Sequence, residues 1–128
     1  MLRFSKSFLS SALIVLAAGN AQAQEHTVTK VGIVAKPAQY VGSCPAKIRF
    51  IATIFVSRHP VKVRYQWERS DGAKSPPEEV EITSAGRGVE TTWTLGAGHE
   101  HKTVSERLHV LAPTGISSEF ATASVQCR

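Results

Sequence analysis

Apolar and charged or amide residues alternate strictly along VKVRYQWER, residues 61–69, and this period of two constrains the fold more than any other feature of the chain. Side chains in a β-strand point alternately to opposite faces, so the segment is predicted to be a strand with one buried and one hydrated face. Further runs of this kind are separated by residues that favour turns, such as Gly, Pro, Asp and Ser. The predicted strands cover residues 27–35, 47–56, 61–69, 79–83, 89–95, 103–111 and 119–127.

No sustained helical period follows residue 23, so the chain is predicted to be all-β. Short strands at this spacing over about a hundred residues are typical of an antiparallel β-sandwich of the immunoglobulin-like (Ig-like) type. A small β-barrel is the alternative architecture. The inward face of the second strand would carry Ile48, Phe50, Ala52, Ile54 and Val56.

Residues 1–23 have the three parts of a secretory signal peptide. A basic start precedes an apolar run, residues 8–18, that is too short to span a bilayer. The tripeptide AQA at 21–23 matches a small-x-small cleavage sequence. The mature protein is therefore predicted to be a single domain, residues 24–128, exported to the periplasm or the medium and without a membrane span.

Removal of the signal peptide lowers the formal net charge from +5 to +3, because that segment holds Arg3 and Lys6 and no acidic residue. This mild basicity falls short of the composition of a nucleic-acid-binding protein. The expected partner is instead an unknown protein or an acidic glycan, and the oligomeric state is left open.

The sequence contains two cysteines, Cys44 and Cys127, and both fall in the predicted mature domain. An even number of cysteines in an exported protein predicts a disulfide bond. A bond that closes a loop of this length is worth about 4–5 kcal/mol in the chain-entropy description. A metal thiolate or a reactive thiol is the alternative, which an oxidising compartment disfavours.

Three motifs, YVGSCP, VRYQWERSDGA and TTWTLG, follow one another in this order. Together they resemble a group of exported bacterial Ig-like domains of uncharacterised function, and the resemblance extends from Tyr40 to Cys127. It implies an Ig-like sandwich with a Cys44–Cys127 bridge. It implies no activity and assigns no catalytic residue.

The third and sixth predicted strands are neighbours in one sheet of an Ig-like sandwich. Their hydrated faces would bring together the four predicted binding residues Lys62, Arg64, Arg107 and His109. With Glu68 as the nearest acid on this face, the group would form a basic patch able to hold a polyanion. The alternative is a solvated outer face whose charges discourage edge pairing.

The second predicted strand carries apolar residues on both faces, with Ile51 and Phe55 on the side that alternation assigns to solvent. A cover is therefore expected, either the first strand or a long loop of the same chain, or another protein or a second copy.

Two histidines, His99 and His101, lie two positions apart in a Gly-flanked loop and are candidate ligands for copper or zinc. The sequence indicates no third ligand, and two ligands alone make a weak site. A second candidate is the mature N-terminus, residues 24–26, whose amine, amides and imidazole could chelate Cu(II) or Ni(II). Cyclisation of the N-terminal Gln24 would block that amine.

The sequence contains no nucleophile-elbow, metalloprotease or phosphate-loop motif. The predicted function is therefore that of an exported, non-catalytic binding or interaction module without a resident cofactor. Two alternatives come from other classes: an exported copper- or zinc-handling protein, and an inhibitor that inserts loop 70–78 or 96–102 into the cleft of a secreted enzyme.

Overall fold

The structure is a computed structural model that describes residues 27–128 and contains nine β-strands in that range. The predicted signal peptide and the candidate N-terminal chelate lie outside the described residues. Within 27–128 no helix is long and apolar enough to cross a membrane. The strands are β1 (Val28–Lys36), β2 (Gln39–Gly42), β3 (Ala46–Val56), β4 (Val61–Arg69), β5 (Glu78–Ile82), β6 (Gly86–Leu95), β7 (His101–Ala112), β8 (Ile116–Ser117) and β9 (Ala121–Cys127).

The strands form two open sheets. One sheet has three antiparallel strands in the order β1-β3-β6. The other has six strands in the order β2-β9-β7-β4-β5, with β8 pairing along β7, and only its β2–β9 pair is parallel among the described strands. This arrangement confirms the predicted Ig-like sandwich over the alternative of a barrel.

The core lies between the two sheets, where the alternation predicts it. Every second residue of β3, from Ala46 to Val56, is buried, and β4 buries Val63, Tyr65 and Trp67. Full burial of one such side chain is worth about 1.5–3 kcal/mol. The largest fully buried side chains are Phe50, Ile48, Ile54, Ile82, Leu108, Val28, Val63, Val110 and Val125.

Two short strands, β2 and β8, are not predicted by the alternation. β2 pairs in parallel with the C-terminal strand β9, with Tyr40 opposite Val125. β8 is separated from β9 by the buried Ser118, whose amide donates to the Leu108 carbonyl at 2.9 Å. The Ser118 hydroxyl accepts the Leu108 amide at 3.0 Å, so a side chain replaces part of the strand ladder at this point.

Cys44 and Cys127 form the predicted disulfide, with Cα atoms 5.5 Å apart, so the free-thiol and metal-thiolate alternatives do not apply. Cys44 lies in the connection from β2 of the six-stranded sheet to β3 of the three-stranded sheet, and Cys127 ends β9, so the bond fixes this connection to the end of β9. Gly96, at φ +92°, packs against it, and a Cβ at this position would lie 2.7 Å from the Cys127 Sγ atom.

The outer face of β3 carries the apolar residues Ile51 and Phe55 among polar and charged ones, as its sequence predicts. Phe55 is 39% exposed, and Ile51 is half-buried. The first strand does not cover this face, because β1 lies beside β3 in the same sheet and places the exposed Val34 opposite Ile51. β1 therefore extends the apolar surface.

Candidate functional site

A cavity of about 230 Å³ opens between the edges of the two sheets, where β6 faces the segment between β4 and β5. It is called the edge cavity here and is lined by Trp67, Arg69, Ala73, Lys74, Ser75, Thr91, Thr92, Trp93 and Glu106. The sequence contains two tryptophans, and both line this cavity. Three separate strands and one turn thus contribute to one concave site.

Glu106 is the unusual residue of the edge cavity. It occupies an inward-facing position of β7, in step with Val104 and Leu108, and is 4% exposed. Its carboxyl group makes no hydrogen bond to any side chain or backbone group of residues 27–128. Burial is the main cause that raises the pKa of Glu106 to about 7, with nearby Arg69 lowering it and Asp71 raising it further.

Arg69 forms one wall of the edge cavity, because its guanidinium carbon lies 3.9 Å from the centre of the Trp93 ring. A guanidinium over an indole face is a favourable cation–π contact. The same guanidinium forms an ion pair with Asp71, with Nε 3.2 Å from Oδ1. This hydrogen bond lowers the pKa of the Asp71 carboxyl. The positive charge of Arg69 therefore already has an anionic partner.

The turn after β4 holds Arg69 and Ser75 in place. Asp71 Oδ1 accepts the Ala73 amide at 3.0 Å, and Gly72 adopts φ +91°, a conformation that favours glycine. The chain then returns along β4, where Ser75 makes two hydrogen bonds with the backbone of Trp67. The Ser75 amide donates to the Trp67 carbonyl at 2.9 Å, and the Ser75 hydroxyl accepts the Trp67 amide at 2.8 Å. This turn is therefore a fixed wall of the cavity.

Lys74 belongs to a second charge cluster on the outer face of the six-stranded sheet. Glu68 is 8% exposed, and its Oε2 accepts a hydrogen bond from Nε of Arg107 at 2.8 Å and forms an ion pair with Nη2 of the same guanidinium at 2.8 Å. Lys74 Nζ lies 4.0 Å from Glu68 Oε1. On its other side, the Arg107 guanidinium lies 4.8 Å from the centre of the Phe120 ring.

The predicted pairing of the third and sixth strands is confirmed, since β4 lies beside β7, but the outer face is not uniformly basic. Lys62 lies opposite Glu81 and Arg64 opposite Glu79. Arg107 is held by Glu68, which leaves less free positive charge on this face than the sequence predicts.

His109 completes the predicted group and sits opposite Gln66 in the β4–β7 register. Its Nδ1 atom forms a hydrogen bond with Ser117 Oγ. A binding role for Lys62, Arg64, Arg107 and His109 stays a prediction.

The two candidate metal-ligating histidines lie at the start of β7 and in the loop before it, and both are exposed. His101 Nε2 forms a 3.1 Å hydrogen bond with Ser124 Oγ. In the described part of the chain, no group of three or more His, Cys, Asp and Glu side chains could hold a metal ion. A metal-binding role for His99 and His101 therefore stays a prediction.

Sequence reasoning misses the edge cavity, although one signal for it exists. Alternation along the sixth predicted strand places Val104, Leu108 and Val110 on the buried face, and the same parity also places Glu106 there. A single acid among inward-facing apolar residues of a strand is unusual and could have marked the site.

No protein-family model matches the sequence, and no curated protein matches it. Among solved structures, the chain is similar to a crystal structure of the CARDB domain of a Pyrococcus furiosus protein in complex with di-metal ions. The TM-score is 0.51 at 12% sequence identity, and the match covers 79% of this chain and 94% of that chain. At this identity the likeness establishes the Ig-like sandwich fold alone.

Proposed function

We propose that the protein is an exported, non-catalytic binding module that takes its ligand in the edge cavity. The observation that carries this proposal is Glu106, a residue only 4% exposed that lines the cavity and has no hydrogen bond from the described residues. Because no buried side-chain oxygen of these residues lacks a partner, the Glu106 carboxyl oxygens reach the water of the cavity, and a ligand that donates to them takes the place of that water.

Export is supported by the signal-peptide pattern of residues 1–23 together with the disulfide, because disulfides persist mainly in oxidising compartments. A binding role is supported by the rigidity of the site. The cavity walls belong to paired strands and to a turn fixed by hydrogen bonds, and a preorganised site loses little entropy when a ligand binds.

The test uses the two tryptophans as reporters, since each indole N–H gives its own NMR signal. Isotope-labelled mature protein, residues 24–128, is titrated with fractions of envelope extract and culture fluid from the producing cell. We expect one fraction to shift an indole signal of the wild type, and we expect Glu106→Gln, which keeps the shape and removes the charge, to lose the response. Glu119→Gln, an exposed acid on another part of the surface, is the matched control. An equal response in all three proteins would contradict the proposal.

A second candidate surface is the outer face of β4 and β7, with Lys62, Arg64, Arg107 and His109 as the binding residues. It is favoured by the exposure of Lys62 and Arg64, neither of which forms an ion pair within residues 27–128. We expect an anionic resin to retain the protein in a salt-sensitive way and Lys62→Glu/Arg64→Glu to abolish retention. Unchanged retention would rule out this surface.

A further inference from the structure

The charges around the edge cavity leave Glu106 without a partner. The charged side chains that face it come from β4 and the turn after it, namely Arg69, Asp71 and Lys74, whereas β6 contributes uncharged residues. Arg69 is paired with Asp71, and the exposed Lys74 lies 4.0 Å from Glu68. Within residues 27–128 no cationic side chain forms an ion pair with Glu106, so the ionised carboxylate is free to contact a cationic ligand.

The hydrogen-bonding groups of the cavity that have no partner are acceptors, so they favour a ligand that donates hydrogen bonds. Glu106 offers carboxylate oxygens, and the hydroxyl of Thr91, which shares the inward face of β6 with Trp93, has no hydrogen bond within residues 27–128. An ammonium group has three donors and no acceptor, so it requires such an arrangement of acceptors. A hydrogen bond between an ammonium and a carboxylate is also stronger than one between neutral groups.

The size and walls of the cavity limit the rest of the ligand. Sites for drug-sized molecules have volumes of about 300–1,000 Å³, whereas this cavity has about 230 Å³. Trp67 and Trp93 supply apolar surface, and the Trp93 face on the cavity side is covered by Arg69. A slim alkyl chain fits these walls better than a flat ring that would need to stack.

We propose that the edge cavity binds a primary ammonium group on a short alkyl stem, with the Glu106 carboxylate as its anionic partner. This inference rests on the proposed function, in which the edge cavity is the ligand site. This chemistry has two sources, a free aliphatic amine or the lysine side chain of a partner protein. In both ligands, the alkyl stem lies along Trp67 and the ammonium group reaches the Glu106 carboxylate.

The experiment titrates the mature protein with n-butylamine and with a lysine whose α-amine and carboxyl group are both blocked, and it follows the indole signals of the two tryptophans. 1-Butanol and butyrate serve as the neutral and anionic probes of the same length. We expect both ammonium probes to bind and the neutral and anionic probes to bind at least about tenfold more weakly, since loss of a charge-assisted hydrogen bond costs about that factor. Tighter binding of the lysine probe would point to a partner's side chain, and tighter binding of butylamine to a free amine.

The pH dependence of amine binding provides a second readout. Because the pKa of Glu106 is about 7, the ionised fraction of its carboxyl group rises about thirtyfold between about pH 5.5 and about pH 8. Butylamine stays protonated over this range, so its binding is expected to tighten by up to that factor. Glu106→Gln should bind the amine weakly and without this pH dependence.

The outcomes separate this proposal from the function on which it rests. If butanol binds as tightly as butylamine, the ammonium assignment is wrong, and the cavity remains a ligand site for neutral molecules. If no probe shifts either indole signal, the ammonium assignment is again overturned. The extract titration then decides independently whether the cavity binds anything.

Discussion

At the scale of single residues, Glu106 determines the charge of the edge cavity and its dependence on pH. Its neighbours on the inward face of β7 are apolar, so the carboxyl group loses hydration on folding, and its pKa rises from 4.5 to about 7. The folded state therefore holds a proton on this group more tightly than the unfolded state does. By linkage, the contribution of Glu106 to stability is fully present below its unfolded pKa and is lost as the pH rises from about 4.5 through about 7.

Replacement of Glu106 by Gln is expected to remove this part of the pH dependence. The free energy of unfolding of the wild type should fall by about 1–3 kcal/mol between about pH 5 and about pH 8 relative to the variant, a range that allows for partial hydration of the group. Urea denaturation at both pH values measures the difference. Parallel pH profiles of wild type and variant would show that Glu106 is as well solvated in the folded protein as in the unfolded chain.

Gly96 is a second residue on which the fold depends. Its φ of +92° disfavours any side chain, and a Cβ would also lie 2.7 Å from Cys127 Sγ and 3.0 Å from Cys44 Sγ. Gly98 is the matched control, since it too has a positive φ, +58°, but has nothing within 4 Å of an added Cβ.

Gly96→Ala is expected to destabilise the protein by about 2–4 kcal/mol through backbone strain and overpacking against the disulfide. Gly98→Ala should cost about 1 kcal/mol, the cost of the left-handed conformation alone. Denaturant unfolding of both variants measures the two losses. Equal losses would mean that the disulfide moves away from the added methyl group without resistance.

At the scale of the strands, alternation predicts the principal elements because each has one face in the core. The segment 61–69 is predicted and observed with identical bounds as β4. β2 and β8 are not predicted, because neither is marked by an alternation of apolar and polar residues. The pairing of β2 depends on β9, which is distant in sequence, and the hydrogen bonding next to β8 depends on the Ser118 hydroxyl.

The candidate site is less predictable than the strands for a related reason. Alternation assigns residues to a face but says little about which side chains meet across the sandwich. The contact of Arg69 with Trp93 joins the two sheets, and the pairing of Arg107 with Glu68 depends on the β4–β7 register. The predicted basic patch assumes that Lys62 and Arg64 have no acidic neighbours, whereas the β4–β5 register places Glu81 and Glu79 opposite them.

The Arg107–Glu68 pair is expected to stabilise the pairing of β4 with β7. Arg107→Met leaves a nearly buried carboxylate without its guanidinium hydrogen bond and ion pair, which should cost about 1–3 kcal/mol. Arg64→Met, at an exposed position on the neighbouring strand β4, should change stability by less than about 0.5 kcal/mol. Thermal and urea unfolding of the two variants provides the comparison. A similar small effect in both would show that water replaces the guanidinium at Glu68.

At the scale of the whole molecule, the disulfide ties the end of the C-terminal strand β9 to the connection between β2 and β3. It closes a separation of 83 residues, almost the full length of the described domain. A loop of this length restricts the unfolded chain strongly, so the bond is worth about 4–5 kcal/mol in the chain-entropy description. Domains of this size have a total stability of about 5–15 kcal/mol, so the bond is a large fraction of the whole.

The double variant Cys44→Ala/Cys127→Ala is therefore expected to unfold at a much lower urea concentration than the wild type, with a loss of about 3–5 kcal/mol. The slope of the free energy with urea should also increase, because an unfolded chain without the cross-link exposes more surface. Wild type measured with and without a reductant is the control, since reduction should reproduce the effect of the variant without changing the packing around Gly96. A loss below about 1 kcal/mol would show that the core between the sheets already holds the chain ends together. In that case the stability of the sandwich would rest on the packing of β3 against β4 and β7, and the bond would serve chiefly to fix the C-terminal strand.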